Sequence, residues 1–85
     1  MSATTQHQFN LRLARIKAIS IQHTLVKLGM LREASLVLAF IREGKIKLYN
    51  SDTDWFVGDL LASSGYADHQ DREGRFGTYY LRLVK

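Results

Sequence analysis

The chain has no cysteine and no proline. Without thiols it can form neither a disulfide nor a thiolate zinc site. Without proline, its helices must be ended by glycine or by polar caps. Long apolar runs are missing as well: the longest, Leu36 to Ile41, falls far short of the roughly 20 residues of a membrane-spanning helix. The opening stretch Met1-Ser2-Ala3-Thr4-Thr5-Gln6-His7 has neither the basic start nor the apolar core of a signal peptide. These absences lead us to expect a protein that meets no membrane and works in the cytoplasm. Catalytic signatures are also missing. His7, His23 and His69, with Ser20, Ser35, Ser51, Ser63 and Ser64, fall into no nucleophile elbow or phosphate-binding loop. No enzymatic activity, cofactor or metal is expected.

What is present is ordinary globular material. The 85 residues are 46% hydrophobic and 24% charged, enough for one small domain with a modest core. A chain this short gains from a staple, and with disulfides excluded a homodimer is the expectation. Charge is unevenly placed around a net of +4. Residues 1–50 hold Arg12, Arg15, Lys17, Lys27, Arg32, Arg42, Lys45 and Lys47 against Glu33 and Glu43 alone. Residues 51–74 reverse this, with Asp52, Asp54, Asp59, Asp68, Asp71 and Glu73 against Arg72. A basic half beside an acidic segment suits a polyanion-binding face plus a segment held off it, although a merely solvated surface can look the same.

Periodicity divides the chain into an α+β order. Residues 1–7 read as a flexible tail. Ala14, Ala18, Ile21, Leu25 and Leu28 recur on one helical face, with a second stripe of Ile16, Ile19 and Val26 on the far side. Such a helix is buried from two directions, by its own core and by a partner subunit. Gly29 ends it. Leu31 to Arg42 predicts a second, central helix closed by Glu43-Gly44. Lys45 to Tyr49 alternates as a strand with both lysines on one face. Ser51, with Asp54 three residues on, predicts a helix start, and Trp55 to Ala62 a short third helix. On it, Phe56, Leu60 and Val57 are candidates for the core, with Trp55 at the rim or as an exposed anchor. Tyr66 to Gly74 reads as a polar acidic loop and Phe76 to Val84 as a closing strand. The outcome is two central helices (8–44, with a short N-terminal strand or helix extension) followed by a strand-helix-strand half (45–85).

Gln8-Phe9-Asn10-Leu11-Arg12-Leu13 alternates strictly, as a half-buried strand does. Its polar side carries Gln8, Asn10 and Arg12, the side-chain types that pair bidentately with adenine and guanine. With the two helices that follow, this stretch resembles the ribbon-helix-helix repressors of the Arc type. The resemblance implies a dimer whose paired strands lie in the major groove, Gln8, Asn10 and Arg12 reading bases while Arg15 and Lys17 touch phosphates. This chain departs from the family in placing Met30-Leu31-Arg32, not a polar cap, after the glycine, and in carrying some forty residues more. The same six residues can instead begin the first helix, with Phe9, Leu13 and Ile16 on a common stripe.

Two functions follow. One is a small dimeric DNA-binding transcriptional regulator, of the kind a mobile element carries. The other is a protein-binding inhibitor or adaptor working through Trp55, Phe56, Tyr79 and Tyr80 beside the acidic segment. A winged-helix arrangement, with Lys45–Tyr49 and Phe76–Val84 as sheet and wing, would need a recognition helix between Trp55 and Gly74, where carboxylates would repel phosphate. Gly74 to Leu81 faintly resembles the aromatic strand of the RNA recognition module, but the order is wrong at its second position and a strand with packed or half-exposed aromatics accounts for it much better. Asp68 to Glu73 holds hard-ion ligand types without the length or turn glycine of a calcium loop.

Overall fold

The computed structural model describes residues 3–48, 51–70 and 77–84. Three helices and three strands follow in the order α1 (Ala3–Lys27), α2 (Leu31–Glu43), β1 (Lys45–Leu48), α3 (Asp52–Ser63), β2 (Tyr66–Gln70) and β3 (Gly77–Leu83). The fold is α+β. The strands form one antiparallel sheet in the order β1-β3-β2, with the helices packed on its Tyr79 and Leu81 side.

The ends of α1 and α2 and the start of α3 are set by chemistry visible in the sequence. Gly29 adopts a left-handed φ of 76°. Its N–H donates to the Val26 carbonyl (3.0 Å) and the next N–H, of Met30, reaches back to Leu25 (2.9 Å). This pair of bonds is the Schellman motif, and it folds Met30 back onto Leu25. Gly44 ends α2 with φ 77° and donates to the Phe40 carbonyl. Its own carbonyl accepts from Leu81 N–H at 2.9 Å, so the end of α2 is tied directly to β3. Ser51 caps α3, its hydroxyl oxygen accepting from Asp54 N–H at 3.1 Å.

The core lies between the helices and the sheet. Phe40, Leu61, Val37 and Val57 are its largest fully buried side chains. Ala14 and Ala18, one turn apart on α1, are completely buried, and their small size lets the helix approach closely. The Tyr66 hydroxyl uses that proximity, donating to the Ala14 carbonyl at 2.7 Å. The Tyr66 ring meets Phe40 edge to face, with centroids 5.1 Å apart. On α3, Gly58 is buried where a Cβ would come within 3.1 Å of the Tyr79 hydroxyl.

Three expectations are corrected. Residues 8–13 form no strand; they are the helix extension, within an α1 that begins at Ala3 inside the stretch read as a tail. The segment read as an acidic loop contains a strand: Tyr66–Gln70 is β2, paired with β3 and irregular between Tyr66 and Asp68. The third helix starts at Asp52 behind the expected Ser51 cap. Its core face is Val57, Gly58 and Leu61, leaving Phe56 exposed. Tyr49 and residues 71–76 lie outside the described residues, so the rest of that loop and the start of the closing strand are not placed.

Burial pushes the Tyr66 hydroxyl up to about 12 from its ordinary 10, because the phenolate would lose its hydration. As pH rises the unfolded chain therefore gives up this proton first. The stabilising contribution is intact below about pH 10 and falls progressively towards pH 12. Tyr66→Phe should cost about 1 kcal/mol at neutral pH through the lost hydrogen bond. It should also remove this alkaline slope, measured as the difference between the two proteins in denaturant midpoint against pH. Gly58→Leu should destabilise by about 1–3 kcal/mol, since its side chain must displace Tyr79.

Candidate functional site

The outer face of the sheet is a polar surface assembled from all three strands. Strand alternation turns Tyr79 and Leu81 into the core, so Thr78, Tyr80 and Arg82 face outward. Register then sets their neighbours. Lys45 lies opposite Tyr80, and Lys47 opposite Thr78 on one side while His69 flanks Thr78 on the other. Lys45, Lys47, His69, Tyr80 and Arg82 are all exposed, and Thr78 is half-buried. Residues directly opposite in an antiparallel pair are about 5 Å apart at Cβ, so three cations, an imidazole and a phenol share one continuous surface. Glu43 closes its β1 edge, where it lines a shallow hollow with Lys45, Lys47 and Thr78.

The residues expected to contact DNA fall elsewhere. At helical spacing, positions 8 and 12 lie one turn apart while position 10 is about 200° round from position 8. Gln8, Asn10 and Arg12 therefore do not share a reading face. Asn10 and Arg12 are exposed. Arg15 donates from Nη1 to the Ile41 carbonyl, a long contact of 3.5 Å, and Lys17 donates from Nζ to the Ser64 carbonyl at 2.6 Å. Both cations thus sit at helix C-terminal ends, where the negative pole of the dipole favours them. They tie α1 to the ends of α2 and α3.

The expected aromatic surface is divided too. Trp55 and Phe56 are 46% and 43% exposed and Tyr80 is exposed on the sheet, whereas Tyr79 is buried at 7%. Tyr79 belongs to the core, not to a binding surface. Phe56 forms one wall of an open apolar groove of about 250 Å³ whose opposite side is α1, with Leu25 and Leu28. Among the described residues no cluster of three or more His, Asp or Glu could hold a metal ion. No described helix is long and apolar enough to cross a membrane.

No family model, curated protein or solved structure matches the chain. The functional reading accordingly rests on the geometry of the site itself. The sequence placed Lys45 and Lys47 on one face, but Thr78, Tyr80 and Arg82 were not joined to them. The signal was available: within residues 78–83 the polar and charged positions alternate with Tyr79, Leu81 and Leu83. Register, which couples the strands, cannot be read from a strand alone.

Lys17→Ala should lower stability by up to about 1 kcal/mol, the worth of an exposed charge at a helix terminus. At concentrations where the chain is monomeric, Arg12→Ala should change stability by less than about 0.5 kcal/mol, because Arg12 is exposed. Thermal melts of the two variants side by side check this contrast.

Proposed function

We propose that this protein is a small DNA-binding regulator acting as a dimer, with the uncovered face of the sheet as its contact to the phosphate backbone. The observation that carries this is the register that gathers Lys45, Lys47 and Arg82 around Tyr80 on one exposed surface. Cations at this spacing release counterions from a polyanion, which supplies most of the affinity of sequence-independent binding. A half-exposed tyrosine among them offers a face on which a base or sugar can rest. The charge distribution agrees with this orientation. Asp52, Asp54 and Asp59 all lie on α3, on the helix layer behind the sheet, so a polyanion is drawn to the sheet and repelled from α3. No ribbon of residues 8–13 is part of this mode. Arg12 is left as an exposed cation that can add a contact, while Arg15 and Lys17 are engaged within the chain.

A second function, binding of another protein through an aromatic surface, is favoured by the exposure of Trp55 and Phe56. The two differ in their response to salt. For DNA binding, the logarithm of affinity should fall steeply with the logarithm of salt, by a slope of about 0.9 per phosphate contacted.

The test is a gel shift of duplex DNA at two or more salt concentrations, comparing wild type with a Lys45→Glu, Lys47→Glu, Arg82→Glu variant. Wild type should bind at low salt. The triple variant should lose binding to all sequences alike and flatten the slope by about three contacts per chain. Wild type with no affinity for duplex at low salt, or a triple variant that binds as wild type does, would overturn the proposal.

A further inference from the structure

The outward side of α1 carries a pattern that the sheet does not explain. Positions 12, 16, 19, 23 and 26 follow one another at steps of four and three, the spacing of a helix-pairing seam. They are Arg12, Ile16, Ile19, His23 and Val26, and every one is exposed. Ile16 is 57% exposed, Ile19 39% and Val26 46%. The stripe lies opposite the buried Ala14 and Ala18, so the chain's own core cannot reach it. The whole of α1 contains no aspartate or glutamate, and Lys27 borders the far end of the stripe.

The outward side of α3 is its complement. Asp52, Trp55, Phe56 and Asp59 fall on one helical face and are all exposed. This helix contains no lysine, arginine or histidine. One exposed surface is therefore aliphatic on a helix that carries no carboxylate; the other is aromatic on a helix whose only charged side chains are carboxylates.

We propose that a second copy of this chain covers both surfaces, with α1 of each copy laid against α3 of the other. A two-fold axis repeats the contact and closes a dimer. Pairing α1 with α1 would juxtapose Arg12 and Lys27 with their own copies and supply no carboxylate. Pairing α3 with α3 would do the same with Asp52 and Asp59. Like charges across an interface are strongly unfavourable, and opposite charges fix the register. Only the crossed arrangement places apolar against aromatic and cation against anion at once. Residues 12–27 of α1 span about 24 Å and the twelve residues of α3 about 18 Å, so α3 fits within the length of the stripe. This contact is independent of DNA binding and is tested without DNA.

Sedimentation equilibrium decides it, using two charge reversals of the full chain. The first is Arg12→Glu with Lys27→Glu; the second is Asp52→Lys with Asp59→Lys. Wild type should be dimeric at tens of micromolar. Each reversal alone should weaken the dimer by at least about tenfold. An equimolar mixture of the two should restore it, because each reversed α1 then meets a reversed α3. Circular dichroism establishes that each variant is folded; if the second is not, Asp59→Lys and Trp55→Ala, each made singly, replace it and should each weaken the dimer. A monomeric wild type overturns the proposal and leaves these surfaces to a different protein. So does an aspartate variant that dimerises like wild type, which would mark an α1-to-α1 contact, or a mixture that stays monomeric.

Discussion

The close approach of α1 to the rest of the fold governs everything on its surface. Ala14 and Ala18 have no side-chain atom beyond Cβ, and both are wholly buried. That allows the Tyr66 hydroxyl to reach a main-chain carbonyl of the helix at 2.7 Å while its ring rests edge-on against Phe40. Three elements, α1, α2 and β2, converge on this one tyrosine. A larger side chain at 14 or 18 would push the helix outward and leave a buried hydroxyl without its partner. The same contact fixes the rotation of α1 about its axis. Once Ala14 and Ala18 face inward, Ile16, Ile19 and Val26 have only solvent or another molecule to face.

A comparable constraint orients the sheet. Gly58 brings α3 to within van der Waals reach of Tyr79, and Leu48 packs at the same point. With Tyr79 and Leu81 held inward, alternation leaves Thr78, Tyr80 and Arg82 no choice but the open face. Pairing with β1 then delivers Lys45 and Lys47 to the same surface. The charge segregation visible along the chain is partly kept in space: Lys45, Lys47 and Arg82 share the outer face of the sheet, while Asp52, Asp54 and Asp59 lie on α3. The net charge of +4 understates this separation.

Much of this was legible in the sequence, and the failures are instructive. Gly29, Gly44 and Ser51 announced their helix ends because glycine in a left-handed conformation and a hydroxyl cap act locally. The strict alternation of Gln8 to Leu13 misled because a pattern of six residues is too short to exclude a helix that runs through it. From Met1 to Leu28 there is no glycine or proline, and no side-chain cap precedes Ala14. A strand ending at Leu13 would have had nothing to turn it into a helix, so the helix simply continues upstream. β2 was hidden for the opposite reason. Tyr66-Ala67-Asp68-His69-Gln70 has no β-branched residue and no alternation, and the irregularity near Ala67 buries Tyr66 and Ala67 together. Its strand character comes from pairing with β3, which context supplies and propensity does not. Phe56 was misplaced because size suggested the core, while the position that matters is the small one, Gly58.

The two proposed surfaces make different demands on the same pool of charge. In the crossed dimer Arg12 and Lys27 are answered by the carboxylates of α3, and Arg15 and Lys17 are already held at helix ends within the chain. The helix cations are then largely spent on structure. The sheet presents the exposed cations Lys45, Lys47 and Arg82 once per chain. Dimerisation would double that set without drawing on it, since no sheet residue takes part in the helix contact. Counterion release grows with the number of phosphates met, so a doubled face binds more tightly and loses affinity more steeply with salt than either half alone.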